Sequence, residues 1–168
     1  MLRLSAVLIL LTQPVMADVS VRFVESAPKD SFTFVNTSAC ATGPIDLTVD
    51  LSGSAAGLIF DTTGSGAGVE VFQPFELVAG GAELKSVEAV TDGDTSVKLR
   101  LKDLPAGGKI AFTIDVDDTL AASSNGQIMV SGGEIAGASV SMTTGAHSTR
   151  ATFDNRGSAT LSLKDCQS

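Results

Sequence analysis

Apolar and polar residues alternate with a period of two along most of this chain. Val19, Val21 and Phe23 alternate with Ser20 and Arg22, and Ile45, Leu47, Val49 and Leu51 with Asp46, Thr48 and Asp50. Val97, Leu99 and Leu101 alternate with Ser96, Lys98 and Arg100, and Ile110, Phe112, Ile114 and Val116 with Lys109, Ala111, Thr113 and Asp115. Successive side chains on a strand point to opposite faces, so each run offers one face to a core and one to water. The same reading predicts strands over residues 84–90, 96–101 and 109–116, and a strand-like run from Val69 that Pro74 stops. Helical periodicity is nearly absent. Turn chemistry separates the runs: Asp92-Gly93-Asp94, Pro105-Ala106-Gly107-Gly108, Ser131-Gly132-Gly133 and Asn155-Arg156-Gly157. About nine or ten short strands without βα alternation predict an all-β chain, an antiparallel β-sandwich or jelly-roll-like domain.

Two segments add to this expectation. Phe34-Val35-Asn36-Thr37 followed by Pro44-Ile45-Asp46-Leu47-Thr48-Val49 looks like the opening hairpin of many extracellular sandwich domains. Leu104-Pro105-Ala106-Gly107 leading to Phe112-Thr113-Ile114 is similar to their later proline-glycine-then-strand segment. The N-terminus reads differently. Residues 1–17 combine basic Arg3, an apolar run from Leu4 to Leu11, Gln13-Pro14 and a small Ala17. That is the layout of a secretory signal peptide cleaved before Asp18, and the run is too short for the ~20 residues of a membrane span. The expected mature chain, residues 18–168, is a single domain that is secreted or periplasmic. Its ten bases face 19 acids, a balance that disfavours nucleic acid and anionic membrane surfaces and favours cations as partners. Two cysteines in an oxidising compartment predict one bridge, Cys40–Cys166.

The search for catalytic motifs finds little. His147 is the one histidine, set in a Ser/Thr-rich stretch; there is no Gly-x-Ser-x-Gly elbow and no His-Glu-x-x-His. Gly64-Ser65-Gly66-Ala67-Gly68 lacks both the full dinucleotide spacing and a following helix, and reads as a hairpin loop. The Phe residues fit apolar strand positions, leaving Phe72 and Phe75 beside Pro74 as candidates for an exposed sugar-stacking surface. Carboxylates gather at strand ends: Asp61, the run Asp115-Val116-Asp117-Asp118, Asp92 and Asp94 around a hairpin glycine, and Glu134 after a Gly-Gly turn. Like charges so placed repel, and calcium relieves that repulsion by accepting several oxygens at flexible geometry. The EF-hand test fails, since Leu120 and Gly126 stand where its glycine and glutamate belong in a loop opened by Asp115. Asp61, Asp115, Asp117 and Asp118 are nevertheless the candidate calcium ligands, against the alternative of plain solvated charge.

Gly57-Leu58-Ile59-Phe60-Asp61, the segment from Val69 to Phe75, the run from Phe112 to Asp118, and Ser131-Gly132-Gly133-Glu134-Ile135-Ala136-Gly137 together carry a resemblance. The chain resembles the small exported bacterial "aggregation factor core" proteins, themselves named for similarity to a domain of the sponge aggregation factor core protein. The resemblance implies a secreted, non-enzymatic adhesion or aggregation module acting on a cell-surface or matrix component, glycan included, or on copies of itself. It also implies calcium at Asp61, Asp115, Asp117 and Asp118. The alternative is a periplasmic carbohydrate- or ligand-binding module. Catalysis by Asp115, Asp117 or Glu134 is the least favoured reading. Asn36-Thr37-Ser38 matches a glycosylation sequon.

Overall fold

The computed structural model describes residues 17–121 and 126–163. The expected leader therefore lies outside the described residues except for Ala17, and so does Cys166 with the pairing expected of it. Among the described residues the strands are β1 (Ala17–Val24), β2 (Ser31–Asn36), β3 (Ile45–Asp50), β4 (Ile59–Asp61), β5 (Glu76–Ala79), β6 (Leu84–Val87), β7 (Ser96–Leu101), β8 (Lys109–Thr113), β9 (Asp115–Asp117), β10 (Ser139–Thr144), β11 (His147–Thr152) and β12 (Ser158–Leu163). One turn of helix, α1 (Gly132–Ile135), accompanies them. Two five-stranded sheets, ordered β12-β1-β2-β8-β5 and β11-β10-β3-β7-β6, pack as a sandwich, and β4 and β9 make a separate two-stranded ribbon. All these pairings are antiparallel. No described helix is long and apolar enough to cross a membrane.

The alternating positions decide which face becomes core. Val19, Val21, Phe23, Phe32, Phe34, Ile110 and Phe112 from the first sheet meet Ile45, Leu47, Val49, Val97, Leu99, Leu101, Val140 and Met142 from the second, all buried. Phe112 is the centre of an aromatic stack, 5.2 Å from Phe32 and 4.9 Å from Phe75 between ring centroids. On the outer face of the second sheet the charges neutralise one another: Lys98 pairs with Asp46 at 2.8 Å, Arg100 with Glu88, and Arg150 with Asp50 at 3.3 Å.

Four local expectations change. The run 109–116 is two strands, because at Ile114 the chain leaves β2: the Ile114 amide donates to the Asp30 carbonyl and the Asp115 amide to that of Gln73. The chain then turns to pair with β4. The run from Val69 is a loop, and the strand forms only after Pro74, as β5. The segments Phe34–Thr37 and Pro44–Val49 do not form a hairpin: β2 lies between β1 and β8, whereas β3 lies between β10 and β7 in the other sheet. Ser131 opens α1 with a capping box, accepting from the Glu134 amide while Glu134 accepts from the Ser131 amide.

Asn36 joins the two sheets at that crossing. Fully buried, it donates through Nδ2 to the carbonyls of Cys40 and Leu104, each at 2.8 Å, and accepts through Oδ1 from Ser38 N and Oγ. Its side-chain amide is fully used in these bonds. The sequon match is thus a structural lock, closed to modification in the folded state.

Candidate metal centre

The β4–β9 ribbon places Asp61 directly opposite Asp115. Asp117, two residues on, shares the face of Asp115 because strand side chains repeat every second residue. Their carboxylates converge until one oxygen from each lies within 4.8 Å of the others. The three side chains are buried: Asp61 and Asp115 are 0% exposed and Asp117 1%. Among the described residues, no amide, hydroxyl or basic group donates to either oxygen of Asp61, to either of Asp115 or to Oδ1 of Asp117.

Two further aspartates press on this triad. Asp30, buried at the entry to β2, accepts from the amides of Ser26 and Val116, each at 2.9 Å, which ties it to the backbone of β9. Asp92 arrives because its turn is bonded to β4, with the Gly93 amide donating to the Phe60 carbonyl and the Phe60 amide to that of Asp94. Protonation follows from this crowding. Burial first, then hydrogen bonding to Asp92 and the charge of Asp117, lifts Asp61 to about 7. Burial, then the charges of Asp117, Asp30 and Asp61, lifts Asp115 to about 8. Asp30 rises to about 7 through burial, and burial also raises Asp117. Asp92 is lowered instead, chiefly by a hydrogen bond with Asp61 and then by the Ala67 amide.

The glycine-rich segment after β4 covers the cluster, and its backbone supplies the contacts. The Ala67 amide donates to Asp92 Oδ2 at 2.6 Å, Thr62 N to Asp92 Oδ1 at 3.1 Å, and Val69 N to Asp117 Oδ2 at 2.9 Å. A Cβ at Gly66 would stand 2.0 Å from Asp92 Oδ2, and one at Gly68 would stand 2.3 Å from Asp61 Cγ. The glycines therefore permit close backbone approach to carboxylates. This is a packing role, where the sequence alone shows only a loop.

Three of the four expected ligands converge. Asp118 is buried but stands apart from the triad, its Oδ1 accepting from the Leu120 amide and its own amide donating to Gln127. Glu134 is engaged in the cap of α1 rather than in the cluster. His147 begins β11 on the surface. Of the aromatic candidates, Phe75 stacks on Phe112 and belongs to the core, whereas Phe72 is 42% exposed. Asp30 and the clamping role of Asp92 are not readable from sequence: Lys29-Asp30 before a strand looks like any solvated turn.

The donor set is oxygen only, which suits a hard divalent cation. Buried carboxylates without donors must be neutralised by a proton or a metal. One oxygen from each of three carboxylates meets in a common space, the start of the oxygen shell that a calcium ion completes at flexible geometry. No family model matches this chain, and no curated protein or solved structure matches it either.

Proposed function

We propose that this chain is a secreted, non-enzymatic β-sandwich module for adhesion or aggregation at a cell surface or matrix, with calcium bound by Asp61, Asp115 and Asp117. The observation that carries the calcium reading is a buried triad in which, among the described residues, no amide, hydroxyl or basic group donates to either oxygen of Asp61 or Asp115 or to Oδ1 of Asp117. A protein that folds around three uncompensated carboxylates gains most by filling the space between them with a divalent cation. The acidic balance, the leader-like N-terminus and the resemblance to aggregation factor core proteins support the adhesion reading.

The test is a thermal melt of the purified protein in EDTA, in millimolar magnesium and in millimolar calcium, followed by aggregation of protein-coated beads with and without calcium. Calcium at about 100 times its dissociation constant adds about 2.7 kcal/mol to the native state, a rise of several degrees. No calcium-specific rise refutes the metal site, and beads that stay dispersed in calcium refute the adhesion reading.

A second reading, a periplasmic carbohydrate-binding module, draws on a cavity of about 610 Å³ beside the β10–β11 turn, lined in part by Thr42, Thr144, His147, Ser148, Thr149 and Ser162. Its lining sets these hydroxyls beside apolar Ala41, Pro44 and Met142, a mixture that suits a ligand with polar and apolar faces, as a sugar has. A glycan array with a flat response would exclude that reading.

A further inference from the structure

We infer that residues 62–72 form a strap that calcium holds shut over the carboxylate cluster, so that cation binding decides whether Val71 and Phe72 are held in a fixed position. The inference rests on the calcium reading and extends it from a static site to a conformational response.

The strap's inward hydrogen bonds run largely to the cluster. Thr62 and Ala67 donate to Asp92, and Val69 donates to Asp117. Beyond them, the Gln73 amide reaches the Asp61 carbonyl at 3.4 Å. Serine, threonine and glycine at 62–68 are mostly exposed and add no apolar anchor. One requirement follows: the carboxylates that accept the strap's amides must stay gathered despite their mutual repulsion. A divalent cation among Asp61, Asp115 and Asp117 meets it and leaves Asp117 Oδ2 to accept from Val69 N. Calcium thus binds the closed strap better than the open one, and that differential affinity is what shifts the equilibrium.

Gly68 makes the coupling testable. Its φ lies outside the left-handed region, so alanine there meets no backbone strain; the obstacle is the buried Asp61 side chain, with Cγ and Oδ2 at 2.3 Å and Cβ at 2.7 Å from an added Cβ. Val71 and Phe72 ride on the strap, 45% and 42% exposed, and the Phe72 ring lies against Gly64.

The experiment pairs calcium titration calorimetry with hydrogen exchange of the Ala67 and Val69 amides, using the purified full chain in EDTA and in calcium. The expected result is binding together with at least tenfold slower exchange at these two amides, the amides of Gly145 and Ala146 in the β10–β11 turn serving as the unchanged control. Binding with unchanged exchange at 67 and 69 overturns the strap and leaves the calcium site standing. Absence of binding overturns both. Gly68→Ala should keep the wild-type circular dichroism, weaken calcium binding by at least tenfold and leave both amides fast in calcium. Wild-type affinity and protection in that variant would overturn the inference. Should Gly68→Ala fail to fold, the wild-type exchange comparison decides alone.

Discussion

Replacing Asp115 by asparagine should stabilise the metal-free protein and abolish its response to calcium. Asp115 faces Asp61 and Asp117, with oxygens of all three within 4.8 Å. At an effective dielectric of about 20, each charge pair at that distance costs about 3.5 kcal/mol, so a fully ionised triad charges Asp115 with about 7 kcal/mol. The protein has a cheaper escape, which is to hold a proton. Keeping at pH 7 a proton on a carboxyl whose ordinary value is 3.8 costs about 4 kcal/mol, at about 1.4 kcal/mol per tenfold change in the proton equilibrium. The smaller figure sets the ceiling. Asparagine is neutral and of similar shape, and its amide can donate to an oxygen of Asp61 or Asp117. The melting temperature in EDTA at pH 7 should therefore rise, by up to about 10 °C for a domain of this size. The same substitution removes a ligand, so millimolar calcium should no longer raise it. Differential scanning calorimetry of wild type and Asp115→Asn, with EDTA and with calcium, checks both halves. A variant less stable than wild type in EDTA, or one that keeps the calcium shift, would refute the argument.

Other outcomes follow from the same geometry. Folded Asp30 and Asp115 hold their protons to about 7 and about 8, against 3.8 ordinarily; between those values the unfolded chain binds fewer protons, so urea melts in EDTA should show stability falling from pH ~4 to ~8 and levelling above. Stability that climbs across that window contradicts the burial of these groups. Phe112→Ala removes the ring stacked between Phe32 and Phe75 and should cost about 3–5 kcal/mol in denaturant unfolding; a loss below 1 kcal/mol would place the core elsewhere. Asn36→Ala removes the Nδ2 donors from the Cys40 and Leu104 carbonyls, which keep Ser38 Oγ and the Thr42 amide, and takes the acceptor from the Ser38 amide; it should cost about 2 kcal/mol, whereas an unglycosylated surface residue would cost almost nothing.

The chain's alternation was sufficient to specify its sandwich, because period-two burial is a local property: Leu47, Leu99 and Phe112 reach the core through residues that lie beside them in sequence. Turn residues such as Asn155-Arg156-Gly157 were readable for the same reason, since their conformational preferences do not depend on distant partners. The pairing of strands was not local, and there the structure departs from the pattern: β2 and β3, close in sequence, separate into different sheets with Asn36 at the crossing. Ile114 breaks an apparently continuous strand because amides there bond to Asp30 and Gln73, distant groups that periodicity cannot register. The candidate centre divides along the same line. Asp115 and Asp117 are two residues apart, so their shared face was legible. That Asp61 stands opposite them, that Asp118 stands apart, and that Asp30 and Asp92 close in required the register of β4 on β9 and the turn bonded to β4. Electrostatic energy depends on distances between residues far apart in the chain. Sequence therefore supplied the carboxylates and the glycines, and tertiary structure alone decided which of them meet.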